Sequence, residues 1–419
     1  MDKIRIRGGK PLNGTVQVSG SKNAALPILI ASLLTEEACV FKRVPHLQDI
    51  RTTLKLLAHL GVQVESNLEA TSSVSLKAEK IAQFEAPYDL VRTMRASVVV
   101  LGPLLARFGR AKVSLPGGCA IGARPINYHL VGLEKLGADI QLENGYVVAS
   151  ASKLKGNRIA FEFPSVGATE NIMMAAVLAE GESLLENCAK EPEIIDLARA
   201  LRAMGAQIEG EGTEVIQIQG RPALKGCNYE VMGDRIEAGT FLSAGFATRG
   251  RVRIEGLNPE TIESVLVKFE DGGATVTREA RAVILENRNR PQSTNITTLP
   301  YPGFPTDMQA QFMAAMTVAE GTSVITETIF ENRFMHVPEL MRLGADITIR
   351  GNSAFIQGQE VLQGAPLMAT DLRASASLVL GGLCAQGETV VNRIYHLDRG
   401  YEKMEEKLRI LGADIERIS

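Results

Sequence analysis

The residue best placed to do chemistry is a cysteine. Cys119 lies in Ser114-Leu115-Pro116-Gly117-Gly118-Cys119-Ala120-Ile121-Gly122-Ala123-Arg124-Pro125, where three glycines and two prolines surround one thiol and an arginine follows five residues on. Glycine opens backbone shapes closed to other residues, and proline stops helices and removes a strand donor. Cys119 is therefore expected on an exposed, mobile loop beside a fixed positive charge, where a thiol acts as nucleophile or proton donor. Further chemistry-bearing residues stand just before apolar stretches. They are Ser21-Lys22-Asn23, Arg92-Thr93-Met94-Arg95, Ser165-Val166-Gly167-Ala168-Thr169-Glu170-Asn171, Asp234-Arg235-Ile236-Glu237, Thr306-Asp307-Met308-Gln309 and Thr370-Asp371-Leu372-Arg373, with His396-Leu397-Asp398-Arg399 near the end. If helices begin there, their unpaired N–H groups and partial positive charge suit anionic ligands. Bland roles compete with this. Asp307 and Asp371 each follow Thr, so helix capping alone accounts for them equally well. Gly20-Ser21-Lys22 is by itself weak as a phosphate motif. Arg95 opens an apolar stretch, where an idle charge is costly.

The elements that must position these residues repeat along the chain. Six segments end in Leu60-Gly61-Val62, Leu136-Gly137-Ala138, Met204-Gly205-Ala206, Gly272-Gly273-Ala274, Leu343-Gly344-Ala345 and Leu411-Gly412-Ala413, with the glycines spaced 76, 68, 68, 71 and 68 residues apart. Glycine just past a helix turns left-handed without strain, so each marks a helix end followed by a strand. Upstream of each lies a turn feeding a strand, at Glu36-Glu37, Gly109-Arg110, Gly181-Glu182, Gly250-Arg251, Gly321-Thr322 and Gly387-Glu388. Before each turn runs a stretch that is apolar all round and rich in Ala, Ser, Met and Gly: 23–34, 95–107, 171–179, 236–247, 308–318 and 372–385. A helix without a polar face is buried. Each unit reads as buried helix, strand, amphipathic helix, strand, strand, and units this long predict two globular halves of three rather than a solenoid. The predicted domains are 1–20 plus 231–419 and 21–230, the second carrying the Cys119 loop, with an active site in a cleft between them. Lys3 to Val18 reads as a strand pair that completes the last repeat, which stops at Ser419.

Composition narrows the function classes. The chain has 419 residues, 45% hydrophobic and 22% charged, with net charge −3, which is ordinary for a globular protein. No basic run with interleaved aromatics favours nucleic acid, and no apolar run reaches membrane-spanning length. The start, Met1-Asp2-Lys3-Ile4-Arg5, lacks the apolar core of a signal peptide. Five scattered cysteines, Cys39, Cys119, Cys188, Cys227 and Cys384, read as reduced thiols in a cytoplasmic protein. No CxxC or HxxxH spacing points to a metal, and the five histidines read as structural or surface residues.

Together, Gly20-Ser21-Lys22-Asn23-Ala24-Ala25-Leu26-Pro27, Leu115-Pro116-Gly117-Gly118-Cys119 through Arg124-Pro125, Phe304-Pro305-Thr306-Asp307-Met308-Gln309, Asp371-Leu372-Arg373-Ala374 and Leu397-Asp398-Arg399-Gly400 resemble the UDP-N-acetylglucosamine enolpyruvyl transferases, over essentially the whole chain. The resemblance implies a two-domain inside-out α/β barrel fold, with three repeats per domain and buried parallel helices surrounded by sheets and outer helices. It implies transfer of the enolpyruvyl group of phosphoenolpyruvate to the 3-hydroxyl of UDP-N-acetylglucosamine, the first committed step of peptidoglycan synthesis. Roles in cell-wall biogenesis, cell shape, cell cycle and cell division follow from that step. No cofactor is expected. By the same resemblance Lys22, Arg124 and Arg399 hold phosphoenolpyruvate, with Asn23 close to the reacting centre. Cys119 protonates the methylene carbon, forms a pyruvate-type adduct and is the target of fosfomycin-type inhibitors. Asp307 takes the sugar hydroxyl proton. The nucleotide sugar falls to Arg95, Arg124, Pro125, Ile126, Asn127, Tyr128, Ser165, Val166, Gly167, Asp307 and Ile329, with Asp371 and Arg373 near the centre. Asn127 and Tyr128 stand where some members carry Asp and Leu, and Phe163 where some carry Lys. The protein is expected to be a cytoplasmic monomer, binding neither nucleic acid nor membrane. The alternatives are an enolpyruvylshikimate-phosphate synthase, which does not depend on the loop cysteine, a silent sugar-nucleotide sensor, which need not keep Cys119, Asp307, Lys22 and Arg399, and a six-repeat DNA clamp, which the net charge disfavours.

Overall fold

The computed structural model describes residues 2–92, 94–115 and 126–419. Among them, 2–19 with 233–419 form one compact unit, the discontinuous unit, and the stretch from 20 to 232 forms a second, the inserted unit. Each unit holds its own hydrophobic core.

The same local logic builds both. In the discontinuous unit the buried helices are Arg235–Ala247, Gln309–Met316 and Leu372–Cys384, and each packs on the other two. Every residue of Arg235–Ala247 is buried. Polar side chains survive inside by bonding back to their own helix: Thr240 Oγ1 donates to the Ile236 carbonyl and Ser243 Oγ to that of Gly239, both at 2.8 Å. In the inserted unit the buried helices are Lys22–Ile30, Leu101–Phe108 and Val166–Ala176. The second is preceded by a 3-10 segment, Arg95–Val100. Gly102 and Pro103 account for that break. Proline removes one helical donor, and the Gly102 N–H donates to Asn171 Oδ1 at 2.8 Å. The third helix starts at Val166 rather than near Asn171, because Ser165 caps it and the polar residues 169–171 belong to its buried first turns.

Six four-stranded sheets share one order. A short strand lies parallel to the strand that follows the buried helix; next to that lies an antiparallel strand, and that strand's own antiparallel partner takes the edge, the two forming a hairpin in every sheet but the last. The parallel strand comes from the preceding repeat, as Arg158–Ala160 does beside Glu182–Glu186. In the inserted unit the last strand, Asn228–Glu230, returns to pair with the first, Ala38–Lys42. All six repeat glycines, Gly61, Gly137, Gly205, Gly273, Gly344 and Gly412, have φ between 92° and 110°, the left-handed turn that glycine adopts without a Cβ penalty.

The opening strands differ from expectation in one respect. Lys3–Arg7 and Asn13–Gln17 do not pair with each other. Lys3–Arg7 inserts between Glu388–Asn392 and Asp414–Ile418, completing the last sheet, with Ile4 and Ile6 turned into the core. Asn13–Gln17 runs parallel to Arg251–Glu255 in another sheet. No helix among the described residues is long and apolar enough to cross a membrane.

Candidate active site

Asp307 sits in a 3-10 turn, Thr306–Met308, that leads into the helix Gln309–Met316. Its carboxylate does not cap that helix. Oδ1 accepts from Arg333 Nη2 at 2.7 Å and Oδ2 from Arg373 Nη2 at 2.9 Å. The two arginine side chains are only 6% and 5% exposed, while Asp307 keeps 26% of its side chain exposed. Burial pushes the Asp307 carboxyl up, but the Arg373 and Arg333 guanidinium groups outweigh it and hold the group well below the usual carboxylate range. Arg373 in turn feels Asp307, Tyr401 and Asp234, which raise it against the effect of burial. Charges at the starts of the other two buried helices of this unit, Asp234 and Asp307, therefore lie within electrostatic reach of this guanidinium. Arg373 also lies 5.4 Å over the Tyr401 ring, and its Nη1 has no hydrogen-bond partner among the described residues.

Asp371 is a cap. Its Oδ1 accepts from the Arg373 and Ala374 N–H groups, both at 2.9 Å. Arg399 ends the 3-10 segment Ile394–Arg399. It stands close enough to His396 to help burial and Arg393 push that imidazole down, while Asp371 opposes them. His336 is buried and pushed down to about 4 by burial, with Asp371 opposing and Arg333 assisting. Ile329 is half-buried, and its N–H donates to Glu327 Oε1 at 2.8 Å. The discontinuous unit thus gathers Asp307, Arg373, Asp371 and Arg399 at one end of its buried helices.

In the inserted unit the predicted residues also stand at helix starts. Ser21 Oγ caps Lys22–Ile30 by accepting from the Ala24 N–H at 3.3 Å. Lys22, in the first turn with Asn23, places Nζ 3.4 Å from the buried Asp49 carboxylate. Ser165 Oγ accepts from the Ala168 N–H at 3.4 Å, with Val166 and Gly167 in the first turn. A Cβ on Gly167 would meet the His129 ring at 3.3 Å, and His129 is itself held by Asn171, Nδ1 to Nδ2 at 3.0 Å. Ile126 precedes the helix Asn127–Lys135; Asn127 is exposed and Tyr128 half-buried. Arg95 opens its 3-10 segment, but its side chain is outside the described set. Cys119, Arg124 and Pro125 also lie outside the described residues.

Three participants escaped the sequence reading: Arg333, Glu327 and Asp49. Arg333 and Glu327 follow the strand Thr322–Thr326 and precede no buried helix, so a search of helix starts passes over them. The available signal was composition, since two charged residues flank an apolar Ile329-Phe330 pair. Asp49 is in the first turn of an amphipathic helix, where an acidic residue is unremarked.

With this geometry in place, comparison with known proteins is specific. A family model described as EPSP synthase (3-phosphoshikimate 1-carboxyvinyltransferase) matches residues 6–408. Among solved structures, the enolpyruvyl transferase NikO from Streptomyces tendae superposes with a TM-score of 0.88 at 25% identity, covering 99% of this chain and 98% of that one. An EPSP synthase from Acinetobacter baumannii superposes with a TM-score of 0.77 at 20% identity over 100% of both, which speaks to fold alone. These matches define a mixed α/β carboxyvinyl (enolpyruvyl) transferase. Curated relatives named UDP-N-acetylglucosamine 1-carboxyvinyltransferase are 59% identical over 420 residues in Trichlorobacter lovleyi and 57% over 421 in Shewanella woodyi, each covering 100% of both chains. The chain belongs to the EPSP synthase family of enolpyruvyl transferases and, within it, is similar along its whole length to the UDP-N-acetylglucosamine 1-carboxyvinyltransferases.

Proposed function

We infer that this protein transfers the enolpyruvyl group of phosphoenolpyruvate to the 3-hydroxyl of UDP-N-acetylglucosamine and releases phosphate, the first committed step of peptidoglycan synthesis. The observation that carries this is full-length identity to relatives bearing that name. The Asp307 carboxylate held between two buried arginines fits it. Each unit is taken to be an inside-out α/β barrel, a reading supported by three largely buried helices and three sheets of common order per unit.

The chemistry divides between groups as follows. Lys22, Arg124 and Arg399 hold the anionic donor through charge-assisted hydrogen bonds. Arg95, Ile126 to Tyr128, Ser165 to Gly167 and Ile329 receive the nucleotide sugar. Cys119 gives a proton to the methylene carbon of the donor. The sugar 3-oxygen adds to C2 as Asp307 takes the hydroxyl proton, giving a tetrahedral ketal. The ketal then loses phosphate, and a methyl proton returns to the Cys119 thiolate, restoring the enol ether and the thiol. A carboxylate held far below its ordinary value is ionised but weakly basic. Asp307 therefore gains basicity when an anionic substrate engages Arg373 or Arg333 and withdraws part of their charge from it. The buried Cys39 and the half-buried Cys227, side by side as thiols, suit action in the cytoplasm.

The test is phosphate release from phosphoenolpyruvate with UDP-N-acetylglucosamine and, separately, with shikimate 3-phosphate. Release with the nucleotide sugar alone is expected; release with shikimate 3-phosphate alone makes the protein the other branch of the family. Cys119→Ser should abolish turnover and leave nucleotide-sugar binding intact. Fosfomycin should add one adduct, at Cys119, by intact mass and peptide mapping; an adduct at Cys39 or none refutes the acid assignment.

A further inference from the structure

Glu327 is a buried carboxylate, 3% exposed, just past the strand Thr322–Thr326. An unpaired carboxylate there would be costly, and this one is well supplied. Oε1 accepts from Thr298 Oγ1 at 2.8 Å, from the Ile329 N–H at 2.8 Å and from the Phe330 N–H at 3.2 Å. Oε2 accepts from Thr306 Oγ1 at 2.9 Å. Thr306 Oγ1 in turn accepts from Arg333 Nη1 at 3.0 Å, which a hydroxyl can do while donating its own proton. The other end of the same guanidinium holds Asp307 Oδ1 at 2.7 Å. Thr298 closes the far side, its Oγ1 accepting from the Thr328 N–H at 2.9 Å.

One carboxylate therefore joins two things. One oxygen gathers the backbone of the segment Thr328–Phe330, which contains Ile329. The other fixes Thr306, which fixes Arg333, which fixes Asp307. We propose that Glu327 is a positioning residue that sets the base and the Ile329 segment in one register, so that nucleotide-sugar placement and the aim of Asp307 are coupled. This rests on the reading of Asp307 as the base and Ile329 as a nucleotide-sugar contact. Reacting atoms need near-ångström placement, and losing it is costly even when the change lies away from the chemistry.

The two oxygens make the coupling separable. In Glu327→Gln the amide can accept on one side only. Its oxygen stays with the two loop N–H groups, where an NH2 would face donors, and its NH2 turns to Thr306, whose hydroxyl then loses its acceptor. The Asp307 arm is disturbed and the loop arm kept. Thr306→Val cuts the same arm from the other end, whereas Glu327→Ala cuts both.

Steady-state kinetics with both substrates test this, with melting temperatures to confirm folding. Glu327→Gln and Thr306→Val should each lower kcat by up to about 100-fold, with the KM for UDP-N-acetylglucosamine little changed. The double variant should lose no more than the worse single one, and Thr306→Ser should recover most of what Thr306→Val loses. Glu327→Ala, if it folds, should also raise that KM by about 10-fold. If Glu327→Gln and Thr306→Val lower the melting temperature but keep wild-type kcat and KM, Glu327 is a structural residue only and the inference falls. If the wild-type protein releases no phosphate from these substrates, the function falls first and takes this inference with it.

Discussion

Asp307 and Asp371 look alike in the sequence. Each follows threonine, each is followed by an apolar residue and then a polar one, and each precedes a buried helix of the same unit. The structure gives them different partners. Asp371 has an extended backbone, φ −151° and ψ 176°, and turns its carboxylate back onto the first N–H groups of its own helix. Asp307 lies one residue inside a 3-10 turn that has no side-chain cap. Pro305 occupies the cap position there, and the carboxylate is left to face Arg333 and Arg373. What separates a capping carboxylate from one that faces two guanidinium groups is its register at the helix start, at the cap for Asp371 and two residues past it for Asp307, together with the arrival of Arg333 from a distant loop.

The sharpest way to break this contrast is to neutralise Asp307. Asp307→Asn leaves two buried guanidinium groups facing an amide. Turnover should fall by about 10²- to 10⁴-fold, the usual range for a positioned base. Stability should fall toward the low end of the roughly 3–5 kcal/mol typical when one partner of a buried ion pair is removed, because a quarter of the Asp307 side chain is exposed. Phosphate release and urea unfolding read the two effects. A variant that keeps wild-type turnover would make Asp307 an ion-pair partner and nothing more.

A third carboxylate sharpens the comparison, because its environment has the opposite sign. Glu170 is buried in the helix that Ser165 caps, and burial, reinforced by Glu193 and Glu191, pushes its carboxyl well up. Asp307, held low, contributes stability that is present above the ordinary carboxylate value and is lost as pH falls through its depressed one. Glu170 favours folding only while protonated. Its contribution is complete below the ordinary glutamate value of about 4.3 and is lost as pH rises through its raised one. Glu170→Gln, which imitates the protonated acid, should therefore gain on the wild type as pH rises within that window, by up to about 1.4 kcal/mol per pH unit. Urea unfolding of both proteins from pH 5 to 8 measures this. Parallel curves would mean that Glu170 is ionised when folded.

How much of this was legible follows from the same three residues. Repetition was readable because glycine at φ near +95° is demanded six times by the same helix end, and buried helices were readable because they lack a polar face. The positions of Lys22, Asp307 and Asp371 at helix starts were readable from the polar residues that interrupt the apolar pattern. Which of those residues cap and which do chemistry was not, since capping geometry depends on one backbone register. Nor was the Arg333–Thr306–Glu327 chain, because it is assembled from residues 298 to 333 by parallel strand pairing and no local pattern records it. The opening strands illustrate the same limit: their alternation is local, but their partners lie some four hundred and some two hundred and forty residues away.

The smallest effect should come from Asp371, and it is the one that separates capping from chemistry most cleanly. Asp371→Ala removes two N–H acceptors at the head of Leu372–Cys384 and should cost about 1 kcal/mol. Asp371→Ser restores a hydroxyl of the right reach and should return most of that stability, since serine and aspartate cap about equally well. At Asp307 the same serine should rescue nothing, because a hydroxyl cannot balance Arg333 and Arg373. Resemblance also places Asp371 near the reacting centre, so the serine variant has a second reading in kinetics. If Asp371→Ser is as stable as the wild type but slow, the carboxylate acts on substrate as well as on its helix. If it is both stable and fast, capping is its whole role, and the likeness between the two Thr-Asp helix starts ends at the sequence.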